Sequence, residues 1–374
     1  MLYRKVPKSG DELSILGYGC MRLPLKRARI DEKRATRQLR YAIDRGVNYL
    51  DTAQPYHMGA SEPFLGRALR GGYREKVRLA TKMMSLNIRS ADDFEPYLAA
   101  QFKKLQTDYI DYYLMHGING PVFERMKGLG ILEFLARAKK DGRICYTGFS
   151  FHGDIAAFKE IVDAYDWDIC QIQYNYLDER IQAGTEGLKY AAAKRLGVIV
   201  MEPLRGGNLA RKIPPAIRAV WDRAEPRRSP AEWGLRWVWN HPEVTCVLSG
   251  MNEEKHIDEN LRIAGEALPD SLSEKELALI REAAEKYQGL MKVACTGCRY
   301  CMPCPSGVAI PNNLDLLSNA QLYGAWEYAR QEYMGLETEK KASNCKKCGK
   351  CLKKCPQKIA VIEYLEEVAR VFEP

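Results

Sequence analysis

Eight of the twelve cysteines fall in two short runs near the end of this 374-residue chain. "CTGCRYCMPCP" places Cys295, Cys298, Cys301 and Cys304 at three-residue intervals, with Pro305 after the last. "CKKCGKCLKKCP" places Cys345, Cys348, Cys351 and Cys355 ahead of Pro356. Thiolates at i, i+3 and i+6 can hold three irons of an iron–sulfur cube, a fourth and remote cysteine completes it, and the C-x2-C-x2-C-x3-C-P spacing of the second run is that of [4Fe-4S] proteins. Zinc competes for paired CxxC motifs, but structural zinc normally takes two such pairs separated by a loop. Each run here continues at regular intervals into Cys-Pro, so two [4Fe-4S] clusters are expected.

Where two such runs share a chain, the cysteine before the proline serves the other cluster. That rule assigns Cys295, Cys298, Cys301 and Cys355 to one cluster and Cys345, Cys348, Cys351 and Cys304 to the other. The first run is one residue short before its proline, which leaves four local ligands per site as the alternative. Cys20, Cys145, Cys170 and Cys246 lie in or near apolar runs and are expected only to pack.

A second group of reactive side chains lies upstream. Asp51 closes "VNYLD", Tyr56 follows in "DTAQPYH", Lys82 closes "LATK" and His116 closes "YYLMH". A phenol, an ammonium, a carboxylate and an imidazole at neighbouring strand ends suit carbonyl reduction. Lys82 would favour the phenolate of Tyr56, Asp51 would keep the lysine charged, and His116 would hold the substrate oxygen.

These residues need a scaffold that gathers strand ends. Eight β-rich runs, at 15–19, 47–51, 77–81, 109–116, 144–150, 168–174, 197–202 and 244–249, alternate with amphipathic stretches at 31–45, 91–106, 125–140, 184–195, 229–240 and 253–264. Eight βα units over about 250 residues predict an α/β fold, a (β/α)8 TIM barrel, whose chemistry gathers at the C-terminal ends of the strands. No GxGxxG follows any strand, which argues against a doubly wound dinucleotide fold. Residues 2–16 are expected to form a hairpin on the barrel floor. After a helix at about 273–288, composition shifts at Cys295 to a small C-terminal, α-helical, ferredoxin-like iron–sulfur module, with two short helices between the cysteine runs at 310–336.

In these contexts the sequence resembles the aldo-keto reductases. The resemblance rests on "DTAQPY", the "TK" strand end, "DYIDYYLMH", "GFS", "QIQYN" and "DENL". It implies a reductase-like barrel over 1–290, with 291–374 as a ferredoxin-type 4Fe-4S domain, as in one branch of the family. It also makes Tyr56 the general acid/base, with Asp51, Lys82 and His116 around it. A nicotinamide, NADPH or NADH, would lie with its carboxamide on Ser150 and Gln171, while Asn175 supports the loop. Its ring would face Met201, and its pyrophosphate would be wrapped by Pro203, Leu204, Arg205, Gly206 and Gly207, with charge from Arg205, Arg211 or Lys212. Its adenosine would fall at Gly250, His256, Glu259 and Asn260.

Two departures stand out. Met201 replaces the family's stacking aromatic, with Glu202 in place of a serine. The 2′-phosphate position offers Gly250, Met251, Lys255 and His256 instead of a firm cationic clamp. NADPH against NADH is therefore open, and a flavin is the other occupant to weigh. His57, Arg22, Tyr174 and Trp233 are candidate pocket liners, and the substrate is expected to be a small carbonyl or alcohol.

Composition narrows the class. Hydrophobic residues at 46% and charged residues at 28% suit a globular core. No apolar run approaches the roughly 18 residues that cross a bilayer, and no signal peptide opens the sequence, so a cytoplasmic protein with reduced thiols and no membrane partner is expected. The net charge of +9 is weak support for nucleic acid and suits better a basic rim that docks an acidic, ferredoxin-like redox partner. Hydride chemistry moves two electrons and a cluster moves one. The expectation is therefore an iron–sulfur oxidoreductase whose clusters relay single electrons to or from that partner. The alternative is an electron-transfer or redox-sensing protein whose barrel serves as a docking scaffold.

Overall fold

A computed structural model describes residues 1–211 and 213–373; Lys212, one expected source of charge, lies outside the described residues. The chain resolves into two compact units, Met1–Pro203 with Gly234–Leu272 and Leu204–Trp233 with Ser273–Pro374.

The first unit is a closed barrel of eight parallel strands. They are β1 (Leu16–Gly19), β2 (Tyr49–Asp51), β3 (Arg78–Met84), β4 (Ile110–Ile118), β5 (Ile144–Phe151), β6 (Ile169–Gln173), β7 (Gly197–Met201) and β8 (Val244–Ser249). Each pairs with the next, and β8 closes on β1 through Val247 opposite Leu16. All eight coincide with the predicted runs. Strands such as "GVIVM", buried at all but the last position, are apolar or small on both faces because helices cover the outside while side chains fill the inside.

The interior explains where the polar side chains go. Tyr49, Ala80, Leu114, Ile169 and Ile199 share one core inside the barrel. Side chains alternate along a strand, so a residue two positions on points the same way. Asp51, Lys82, His116, Gln171 and Met201 each follow one of these five by two residues and therefore cap the same interior from its C-terminal end. At the other end, strands Tyr3–Lys5 and Glu12–Ser14 form the expected antiparallel hairpin, and its Val6 and Leu13 enter the same core.

One predicted helix is two. The stretch 125–140 divides into Gly120–Gly128 and Ile131–Lys140. The break is at Gly130, whose left-handed φ of 85° no continuing helix accommodates. The first helix also begins earlier than its apolar spacing suggests, because Asn119 caps it by accepting from Val122 N at 3.0 Å.

The second unit is helical, with no strand among its described residues. Ser273 and Glu276 form a reciprocal cap that starts Glu274–Leu290. The two helices foreseen between the cysteine runs are Ile310–Tyr323 and Trp326–Met334. A terminal helix, Val361–Phe372, had not been foreseen. It places Leu365, Val368 and Phe372 against Leu314, Leu317 and Tyr333, and Cys295, Cys301, Cys304, Cys345 and Cys355 pack on this small core. Burying each such leucine contributes about 1.5–3 kcal/mol, so the cysteine loops rest on an apolar base.

Candidate functional site

In the barrel, Lys82 is the hub. Its Nζ donates to both carboxylate oxygens of Asp51 at 2.7 Å, to Thr52 O at 2.9 Å and to Tyr56 Oη at 3.4 Å. Lys82 is 1% exposed and Asp51 2%. Burial pulls the ammonium below its usual value although Asp51 opposes this. The His116 ring meets Tyr56 edge-on with centroids 6.0 Å apart. Burial, then the charge of Lys82, holds His116 well below the usual imidazole range, so it is neutral at pH 7. The structure thus brings Asp51, Tyr56, Lys82 and His116 together.

Tyr56 reaches this group from a short 3-10 turn, Tyr56–Gly59, in which His57 and Met58 take left-handed backbone. His57 accepts a hydrogen bond from Leu23 N at 3.1 Å, which ties the turn to the loop after β1. Sequence reasoning missed the support behind Lys82. Gln101 donates to Lys82 O at 3.0 Å and to the fully buried Glu62 at 2.7 Å, and Thr81 donates to the same carboxylate at 2.8 Å. A glutamate in "SEPFLG" carried no motif; only its place on the buried face of helix Ser61–Ala68 reveals it.

The residues expected to meet a nicotinamide divide into several cases. Ser150 on β5 and Gln171 on β6 are paired across the sheet. Ser150 Oγ accepts from Gly117 N at 2.8 Å, and its hydroxyl proton remains available. Gln171 Oε1 is buried without a hydrogen-bond partner, which suits a ligand amide. Asn175 donates to Asp178 Oδ2 in its own loop at 2.9 Å and to Glu202 O, just after β7, at 3.2 Å. Met201 ends β7, and Glu202 after it adopts a left-handed φ of 54°.

Toward the expected adenosine end, Asn260 turns inward to Ser249 Oγ at 2.9 Å and Met251 Sδ at 3.6 Å. Gly250 lies so close to Arg22 that a Cβ there would come within 3.0 Å of it. His256 and Glu259 lie half-buried on helix Glu254–Ile263, and Lys255 pairs with Glu253. Tyr174 is fully buried, with its hydroxyl on Thr185 and His241, and Trp233 is fully buried against Trp221, so neither faces a pocket.

Pro203 ends the first stretch of the barrel unit, and Leu204 through Gly207 belong to the second unit. Arg205 is 3% exposed. Its guanidinium meets Met291 Sδ at 3.1 Å and Ala294 O at 3.4 Å. Asn208, another residue the sequence did not single out, donates to Cys295 O at 3.4 Å. The loop read as a pyrophosphate wrap therefore also braces the entry to the first cysteine run. Gly207, at φ 100°, closes against Arg211, where a Cβ would meet Arg211 Nε at 2.9 Å.

None of the twelve cysteines forms a disulfide. The eight of the second unit line two cavities. One is lined by Cys295, Cys298, Cys301 and Cys355, and the other by Cys304, Cys345, Cys348 and Cys351; Cys301 lines both. Four sulfur donors suit a cubane cluster, and setting the shared Cys301 with the first cavity gives each set three cysteines of one run and the pre-proline cysteine of the other. Burial, followed by the neighbouring Cys295 and Cys355, pushes the Cys301 thiol up to about 12.

The runs also repeat one backbone. Left-handed residues flank the second cysteine in both, Gly297 and Arg299 around Cys298 and Lys347 and Gly349 around Cys348. A further left-handed residue follows three positions after each pre-proline cysteine, Gly307 and Lys358. Such alternations turn successive N–H groups to one side, a concavity that favours anions.

A model of the aldo/keto reductase family matches residues 15–285, and a model of the 4Fe-4S dicluster domain matches residues 294–360. A probable aldo-keto reductase 1 of Glycine max is 25% identical over 317 residues, which cover 75% of this chain and 88% of that protein. An NADH-specific methylglyoxal reductase of Escherichia coli strain K12 is 26% identical over 288 residues, covering 65% and 85%. The solved holo form of an aldo-keto reductase from Bacillus halodurans superposes with a TM-score of 0.64 at 26% identity, covering 76% of this chain and 96% of that one.

Proposed function

This chain belongs to the aldo/keto reductase family, and from that premise we propose that it reduces a small carbonyl compound, or oxidises the matching alcohol, while two [4Fe-4S] clusters relay single electrons to or from a redox partner. The observation that carries the reading is the contact chain Asp51–Lys82–Tyr56. A bound NADPH or NADH would supply hydride to the carbonyl carbon. Tyr56 gives its phenolic proton to the carbonyl oxygen as the C=O π bond opens, so that one C–H and one O–H bond form. Lys82 stabilises the negative charge left on the phenol oxygen, and Asp51 keeps that ammonium charged and aimed. Neutral His116 donates an N–H toward the same substrate oxygen. A 2-oxoaldehyde, the class named for the Escherichia coli relative, is the first substrate to try.

The carboxamide end of the nicotinamide would rest on Ser150 and the unpartnered Gln171 Oε1. In the C-terminal domain Cys295, Cys298, Cys301 and Cys355 would hold one cluster and Cys304, Cys345, Cys348 and Cys351 the other, with the cavity linings supporting this crossed set. Two single-electron transfers match one hydride, so full coupling needs a group in the barrel that takes both, either a flavin or a radical-tolerant substrate.

A second reading, an electron-transfer or sensing protein with a barrel scaffold, draws support from Arg205, whose guanidinium is already engaged with Met291 and Ala294. Anaerobic purification with iron, sulfide and organic-cofactor analysis, followed by nicotinamide titration, separates the two. The enzyme reading expects about eight irons, nicotinamide binding, and a Tyr56→Phe variant that still binds the nucleotide but turns over at least about 100-fold more slowly. No nucleotide binding, or an unchanged Tyr56→Phe rate, favours the scaffold.

A further inference from the structure

The two cysteine cavities differ in the charge around them. Residues 341–362 contain seven lysines and no Asp or Glu, so this one stretch carries +7 of the chain's net +9 and the rest is nearly neutral. Lys346, Lys350 and Lys354 line the second cavity, whereas the first has only Arg299 among charged lining residues. Thiolates are common to both cavities, so neutralising cluster charge does not account for lysines at one alone.

These lysines are not used inside the protein. Lys347 pairs with Glu366, but Lys346, Lys350, Lys353 and Lys354 are exposed and make no ion pair among the described residues. Three of them crowd the five-residue helix Lys350–Lys354, where like charges three and four positions apart repel. Between them Leu352 is 42% exposed. Cys348 is the one exposed cysteine of the eight, and it lies in the same loop. A solvent-facing ligand, an apolar point and a ring of unpaired ammonium groups together match the surface that a charged partner recognises.

Building on the relay reading above, we infer that the face made by Lys346, Lys350, Lys353 and Lys354 around Leu352 is the docking surface for a small acidic electron-carrier protein, and that electrons pass through the cluster site containing Cys348. The exchange moves one electron: the reduced carrier loses it and the cluster gains it, with no bond made or broken and no proton moved. The first cavity, whose cysteine run is held at its start by Arg205 and Asn208, would be the second station of the relay.

The test uses the cluster-loaded full chain under anaerobic conditions, with a reduced acidic two-cluster ferredoxin as probe and photoreduced 5-deazariboflavin as a small neutral reductant. Replacing Lys346, Lys350, Lys353 and Lys354 by Glu should slow reduction by the ferredoxin about tenfold or more at low salt and flatten its salt dependence. Reduction by deazariboflavin and the EPR spectrum should stay the same. A matched set of exposed lysines elsewhere, Lys33, Lys103, Lys140 and Lys275 changed to Glu, should keep the wild-type ferredoxin rate within twofold. If the Glu set fails to load clusters, the Gln set replaces it, with a smaller loss in the same direction.

An unchanged ferredoxin rate in the cluster-face variant, or an equal loss in the matched set, overturns the proposal. Salt-sensitive binding of single-stranded RNA that the variant loses while the carrier rate holds also overturns it, and assigns the face to nucleic acid. If the carrier reduces the wild-type clusters quickly and the variant slows this, yet the carrier supports no substrate turnover, the docking surface stands and the relay reading fails.

Discussion

Changing Asp51 to Asn preserves shape and removes one charge, leaving the Lys82 ammonium buried without its counter-ion. The pair is almost completely enclosed, at 1% and 2% exposure, with both carboxylate oxygens 2.7 Å from Nζ. Breaking a buried pair from one side costs about 3–5 kcal/mol, or about 6–20 °C of melting temperature for a domain of this size. The pH dependence gives the sharper signature. Burial already lowers Lys82 below its usual value and Asp51 is the leading influence opposing it, so Asp51→Asn lowers it further.

A lysine whose folded pKa lies below its unfolded value binds fewer protons folded than unfolded between the two. Stability therefore rises with pH across that window, and the penalty is full below the folded pKa. The variant's deficit should be largest near pH 7 and shrink toward pH 10. Thermal unfolding by circular dichroism at pH 7 and 9.5 measures it, with Lys82→Met as background: once the ammonium is gone, Asp51→Asn should cost less than about 1 kcal/mol. A loss below about 1 kcal/mol at pH 7, or one that does not shrink at pH 9.5, refutes a charged, burial-stressed pair.

Replacing Cys295 and Cys298 by Ser should remove one cluster and about half the iron. Adding Cys304→Ser should then remove the rest, whereas adding Cys355→Ser should not; iron analysis with EPR reads the difference, and the opposite pattern means four local ligands per site. His116, held well below 6.5 by burial and by Lys82, should contribute no titration to kcat/KM between pH 6 and 8. For the same reason the unfolded chain takes up a proton there that the folded one does not. Stability should therefore fall as pH drops below 6.5, and less in His116→Gln, when melting temperatures at pH 7 and 5 are compared.

The strands were legible because a strand covered on both faces is rich in apolar and β-branched residues, and "GVIVM" admits little else. The reactive residues were legible because they end those strands. What escaped detection depends on groups far apart in the chain. Glu62 and Gln101 brace Lys82 only after helices Ser61–Ala68 and Phe94–Leu105 pack together. Arg205 in "PLRGG" reads as a phosphate contact from the family resemblance, and only the fold shows its guanidinium against Ala294 O. The split of 125–140 was written in Gly130, which apolar spacing outweighed. The lysine-rich run was visible as charge, but its unequal share between two cavities was not.

The lining of those cavities also bears on how the protein is assembled and lost. Each is lined by three cysteines of one run and by the pre-proline cysteine of the other, some fifty positions away, with Cys301 shared between the two. On the crossed set proposed above, a chain cut anywhere between Cys304 and Cys345 would keep the first motif without its fourth donor. On the same set, maturation would behave as an all-or-nothing gate: the second run must be synthesised before either site has its four donors, and an unfinished chain would hold no cluster.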